Sequence, residues 1–123
     1  MNEDTLQNPH PTPLPGRPVR GSKSGRPIMA AMDLLGRRWT LRLLWELRGG
    51  PLGFRELQAR CDGMSPSVLS QRLHELVTAG VVDRDERQDY TLSPAGDELL
   101  AALGPLASWA GRWAHTLSGG AET

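Results

Sequence analysis

The sequence predicts a mainly α-helical fold carrying one small β-hairpin, and three observations predict it. At Ser65–Pro66 and again at Ser93–Pro94, a residue suited to an N-cap precedes the residue best tolerated at a first helical position. Leucines recur at helical spacing after both pairs. Between them, "VVDRDERQDYTLS" places β-branched and aromatic residues on either side of a polar centre, the pattern of two short strands joined by a turn.

Residues 1–27 are dense in Pro, Gly, Ser, Asn and Thr, and their apolar residues Leu6, Leu14 and Val19 follow no helical or strand period. This stretch is expected to be a disordered arm. Its second half carries Arg17, Arg20, Lys23 and Arg26 without an acid, which suits a phosphate backbone or a minor groove; a solvated tail is the plain alternative. One folded domain is expected over residues 28–117, with a flexible tail at 118–123.

Pro27 suits the start of a short helix in which Ile28, Ala31, Met32 and Leu35 form the apolar stripe before Gly36. From Arg38 to Arg48, Trp39, Leu43, Leu44 and Leu47 form one stripe while Leu41 and Trp45 add a second, so this helix is expected in the middle of the domain. Gly49, Gly50 and Pro51 end it. Phe54, Leu57 and Cys61 then mark about two helical turns, and Asp62, Gly63 and Met64 a tight turn. Ser65 caps the next helix, 66–79, whose seam is Leu69, Leu73, Leu76 and Val77 and whose end is marked by Gly80. The hairpin is expected to turn near Arg87 to Asp89, with Tyr90 and Leu92 on one side. In the last helical region Leu99, Leu103, Leu106, Ala110, Trp113 and Leu117 recur at steps of four and three, a seam that needs a partner helix. Gly104 and Pro105 predict a kink there or two abutting helices.

At 123 residues the chain has room for one small domain and a modest core. Lys plus Arg and Asp plus Glu number 14 each, so total charge favours neither nucleic acid, nor a membrane surface, nor an acidic substrate, and any such partner must be argued from local distribution. Cys61 is the single cysteine, which excludes an intramolecular disulfide and fits a reducing cytosol. The N-terminal sequence lacks the charge and apolar run of a signal peptide, and no apolar stretch reaches spanning length; a cytoplasmic protein without membrane contact is expected.

Two helices joined by a tight turn and followed by a β-ribbon make the layout of a winged helix-turn-helix. A major groove about 12 Å wide admits one helix, and a ribbon beside it reaches the backbone or the neighbouring minor groove. With Leu69, Leu73 and Leu76 turned inward, the outward arc of the second helix contains Ser67, Gln71, His74 and Thr78, with Val68 and Glu75 on one flank and Arg72 at the margin. Gln pairs with adenine, Arg reads guanine or grips phosphate, Ser adapts to either, and Val touches a thymine methyl. Backbone N–H groups around Ser65 to Ser67 suit a phosphate.

The stretches "AMDLLGRRWTLRLLWELRGGPLGFREL", "MSPSVLSQRLHELVTAGVVDR" and "YTLSPAGDELLAALGPLASW" together resemble the HxlR-type bacterial transcriptional regulators, small dimeric winged-helix proteins. The resemblance covers roughly Ile28 to Trp113. It implies a recognition helix bearing Ser65, Ser67, Val68, Gln71, Arg72 and His74, and a wing bearing Arg84 and Arg87. It also implies a dimer interface on the terminal helices, at Met32, Leu35, Leu103, Leu106, Trp109 and Trp113. Many members carry a sensing cysteine just before the first helix, where this chain has Arg26 and Pro27, so thiol sensing by that route is absent. Gly53 replaces a basic residue that usually precedes the phenylalanine of the third helix. The wing is short, and from Asp83 to Asp89 it holds four acids against two arginines.

Cys61 lies on an apolar stripe, which favours an inert buried thiol over a sensor. His10, His74 and His115 have no metal-ligand spacing with Cys61 or a carboxylate pair, and no glycine-rich phosphate loop follows a strand; neither a cofactor nor an enzymatic activity is expected. The expected partners are double-stranded DNA and a second copy of the chain. A small aromatic effector beside Trp109 and Trp113 is a further candidate, plain packing being the alternative. Two rival functions remain at this stage: a winged-helix protein-interaction module, favoured by the acidic hairpin, and an aromatic-ligand sensor.

Overall fold

The computed structural model describes residues 11–119. Residues 1–10 of the expected arm, His10 included, and residues 120–123 of the expected tail lie outside the described residues. Among the described residues, five helices and one hairpin follow in order: α1 (Pro27–Leu35), α2 (Thr40–Leu47), α3 (Phe54–Arg60), α4 (Pro66–Thr78), β1 (Val82–Arg84), β2 (Tyr90–Leu92) and α5 (Pro94–Leu117).

The core is one cluster, built from Leu43, Leu44 and Leu47 of α2, Leu57 of α3, and Leu69, Leu73 and Leu76 of α4. Leu52, Cys61, Met64, Val81 and Val82 close it. The hairpin is antiparallel, pairing Val82 with Leu92, Asp83 with Thr91 and Arg84 with Tyr90. Leu52 and Tyr90 exchange both backbone hydrogen bonds, at 3.0 and 2.8 Å, so the α2–α3 connection adds a third backbone to the hairpin's edge. Tyr90 and Leu92 both pack against the core.

Several helices differ from expectation. α1 buries Ala30 and Leu34, while Ile28 and Met32 of the expected stripe stay 59% and 57% exposed. A nine-residue helix can turn only one face toward this core, and the stripe read from the sequence is largely the other face. α2 begins at Thr40 rather than Arg38 because Trp39 adopts a left-handed backbone, φ 78°, before the first turn. Its second stripe is not covered: Leu41 and Trp45 are exposed, and the Arg48 guanidinium lies 3.8 Å from the Trp45 ring centroid. Of the two arrangements expected at Gly104–Pro105, the two abutting helices are not found: α5 is one 24-residue helix with Pro105 inside it. Pro105 deprives Ala101 of a partner for its carbonyl, but Ala101 is exposed and water can solvate it.

Residues 11–26 depart most from the sequence reading of a disordered arm. They form a folded strap in which Gly16 N–H donates to Gly25 O at 3.0 Å and Val19 and Ser22 exchange backbone bonds at 3.0 and 3.1 Å. The strap docks through Arg20 N–H on the Asp33 carboxylate, 3.1 Å, and through Arg37 on Pro11 O, 2.9 Å, with its own Thr12 and Pro13 buried. Composition conveys none of this, since several of the bonds run backbone to backbone and the docking partners lie on α1 and just after it.

Candidate nucleic-acid interface

The helix-turn-helix is α3, the Cys61–Met64 turn and α4. Two successive left-handed residues, Asp62 (φ 57°) and Gly63 (φ 70°), reverse the chain in this turn. The Gln58 side-chain amide donates to Met64 O at 3.0 Å, and Arg42 of α2 donates to Arg60 O at 2.6 Å. Both ends of the turn are thereby tied down. Ser65 caps α4, its hydroxyl accepting Val68 N–H at 3.2 Å, and Pro66 occupies the first helical position. The far end closes as a Schellman motif: Gly80 is left-handed, Val81 N–H reaches Leu76 O at 3.1 Å and Gly80 N–H reaches Val77 O at 3.0 Å.

The exposed face of α4 presents Ser67, Gln71, His74 and Thr78, and Ser65 lies at its open start, its hydroxyl 3.4 Å from that of Ser67. Ser70 belongs to the same exposed face and was missed by the sequence reading. Val77, expected in the seam, is 40% exposed, while Arg72 and Glu75 are drawn inward on the opposite side, so the solvent face is rotated toward Ser70 and Val77. Ser65, Ser67, Ser70, Gln71, His74 and Thr78 are uncharged or weakly basic and able to hydrogen-bond.

Three residues of the expected reading set are directed elsewhere. Val68 is half-buried against the core. Arg72 donates through Nε to Arg38 O at 2.8 Å and through Nη1 to the Glu75 carboxylate at 3.1 Å. Arg84 folds back along the wing, donating to Gln88 O at 3.1 Å with its guanidinium 4.7 Å from the Tyr90 ring centroid. Glu75 itself, expected on the outward flank, is only 1% exposed because two arginines enclose it.

The wing turn is built on Asp85, whose Oδ1 accepts Arg87 N–H at 2.8 Å and Asp89 N–H at 3.0 Å, with Gln88 left-handed at φ 68°. One of the four acids is therefore a turn-former, while Asp83 and Glu86 stay exposed. The Arg87 side chain is exposed.

The residues expected at a dimer interface divide into two groups. Leu35 and Leu103 are half-buried within the chain. Met32, Leu106, Trp109 and Trp113 are 47–57% exposed, and Ile28 and Leu117 join them. Trp109 and Trp113 stack on each other, centroids 5.2 Å apart and planes 14° from parallel. Cys61 is fully buried, and burial pushes its thiol pKa up, with Arg42 acting in the opposite sense. Among the described residues no group of three or more His, Cys, Asp or Glu is placed to hold a metal ion, and no helix is long and apolar enough to cross a membrane.

A capped helix with a polar, uncharged outer face, set by a tight turn after α3 and backed by a β-ribbon, defines a DNA-binding protein of the winged helix-turn-helix class. Residues 34–118 match the model of the HxlR-like helix-turn-helix family, and the chain belongs to that family of transcriptional regulators. It is 37% identical over 89 residues to the HTH-type transcriptional regulator YvaP of Bacillus subtilis, covering 68% of this chain and 82% of that one. It is 40% identical over 91 residues to an HTH-type transcriptional regulator of Mycobacterium tuberculosis, covering 69% of this chain but only 57% of the other. Among solved structures, the quinone-bound regulator YodB of Bacillus subtilis superposes with a TM-score of 0.65 at 31% identity, covering 70% of this chain and 96% of that chain.

Proposed function

We propose that this regulator acts as a homodimer in the cytoplasm, each copy laying α4 in the major groove of one half-site, and that it works by binding rather than catalysis. The observation that carries this reading is the exposed face of α4. Side chains there make hydrogen bonds without net charge, which is what discrimination between base edges requires and what a solvent-facing helix has no need of. Gln71 is the principal base-reading residue in this account, with Ser67, Ser70 and His74 beside it and the Ser65 helix start and Arg87 on phosphates. Arg72 positions α4 through Glu75 and Arg38 instead of reading bases.

The dimer rests on the apolar surface that a single chain leaves open at Ile28, Met32, Leu106, Trp109, Trp113 and Leu117. A two-fold pairing of these helices covers that surface and sets two copies of α4 on half-sites related by the same axis. Fluorescence anisotropy with a pool of genomic fragments, repeated across salt, is expected to give specific binding that weakens as salt rises. Sedimentation at the same concentrations should report a dimer. Failure to bind any fragment, with the dimer intact, supports a protein-interaction module instead.

A small aromatic effector remains the second part of this reading, seated beside the stacked Trp109 and Trp113; the quinone-bound state of the similar YodB lends it support. Cys61, fully buried, takes no part in such binding. Quenching of tryptophan emission by quinones, weakened in Trp113→Leu, is the expected signature.

A further inference from the structure

We propose that the folded strap, residues 11–26, is a second DNA-contact element that grips the phosphate backbone beside the base pairs read by α4. This rests on the DNA-binding reading above and adds to it a second contact site beside α4. The strap carries Arg17, Arg20, Lys23 and Arg26, and the sequence has no acid between Asp4 and Asp33. All four cations are exposed, as is the neighbouring Arg38; Arg17 donates to Thr12 O within the strap, and among the described residues none of the five forms an ion pair with a carboxylate.

Position gives these charges their use. Arg17, Arg20 and Arg38 line one cleft with Gln71 and Arg72 of α4, Asp33 being the one acid in its lining, so two of the strap's four cations border the helix assigned to the groove. The strap is held there, since Arg20 presents its backbone N–H, not its guanidinium, to Asp33, leaving the side chain to extend outward. Arg37 bonds Pro11 O and Glu75 together, joining strap and recognition helix through one side chain. Gly25 makes the close turn: a Cβ there would lie 2.2 Å from Arg17 O, so the strap's two arms approach closely only because Gly25 has none.

The wing and α4 themselves supply little positive charge for the same task. The total charge is zero, the wing has more acids than bases, and Arg72 and Arg84 are bound within the fold. Binding to a duplex nonetheless requires that phosphates be neutralised, with about 0.9 in salt slope for each one. The strap is the concentrated source of cations that the fold places beside α4.

The test is a triple variant of the full chain, Arg20→Gln, Lys23→Gln and Arg26→Gln, which alters exposed side chains and leaves the docking bonds of Asp33 and Arg37 in place. Its affinity for the fragments selected by the wild-type protein is measured across a salt series. The expected result is weaker binding to every fragment, the same ranking among fragments, and a salt slope shallower by roughly 1 for each strap cation that neutralises a phosphate. Wild-type binding with affinity and slope unchanged in the triple variant overturns the strap proposal and leaves the α4 reading standing. Absence of wild-type binding to any fragment overturns both.

Discussion

Arg37 Nη1 lies 2.6 Å from Glu75 Oε2, joining the α1–α2 connection to the recognition helix across 38 residues of sequence. Glu75 is 1% exposed and receives Arg72 as well, at 3.1 Å, so one buried carboxylate balances two partly buried arginines. Removing it leaves those guanidiniums uncompensated. Glu75→Ala is expected to lower stability by about 3–5 kcal/mol, the usual consequence of breaking a buried pair from one side. Urea denaturation measures this, and a loss under about 1 kcal/mol would mean the triad contributes no more than a surface pair.

Gly96 sits in the first turn of α5, where the helix backbone passes against the connection between α4 and β1. A Cβ on it would stand 2.0 Å from Val81 O, and Ser93 fixes the same junction by donating to Gly80 O at 2.6 Å and accepting Gly96 N–H at 3.0 Å. The helix cannot shift without losing its cap. Gly96→Ala should therefore destabilise the domain by about 1–3 kcal/mol or more, although alanine favours helices elsewhere. A thermal melt as stable as wild type would contradict this packing.

The buried Cys61 thiol predicts a pH dependence. Its folded pKa is raised, chiefly by burial, so the native state keeps the proton that the unfolded thiol gives up near pH ~8.5. The contribution is fully present below that pH and is lost as pH rises toward and through the folded value. Urea midpoints taken from pH 7 to 10 should fall more steeply for the wild type than for Cys61→Ala. Identical slopes would show the thiol ionising equally in both states. Iodoacetamide should label Cys61 only as fast as the chain opens.

Much of this was legible in sequence because the signals are local. The Ser65–Pro66 and Ser93–Pro94 starts, the left-handed Gly80 and the hairpin strands each depend on neighbours within a few residues. What escaped depends on distant partners. Glu75 looks like a surface acid until Arg37 arrives from another element, and Arg72 looks available until Arg38 O and Glu75 claim it. Ser70 was missed for the same reason, since those contacts decide which face of α4 is turned inward. Periodicity in α1 found an apolar stripe but not which of two surfaces it meets; Ile28 and Met32 face away from this chain's own core. The strap was illegible because proline and glycine content records the absence of a helix or strand, not the presence of docking bonds.

Of the α4 side chains, Gln71 carries most of the proposed reading of base edges. Bound sites selected from random duplex DNA by wild type and by Gln71→Ala should differ at one position per half-site, with the variant losing about 1–3 kcal/mol on the wild-type sequence and accepting other bases there. Identical selected sequences and equal affinities would contradict the assignment of α4 to the groove.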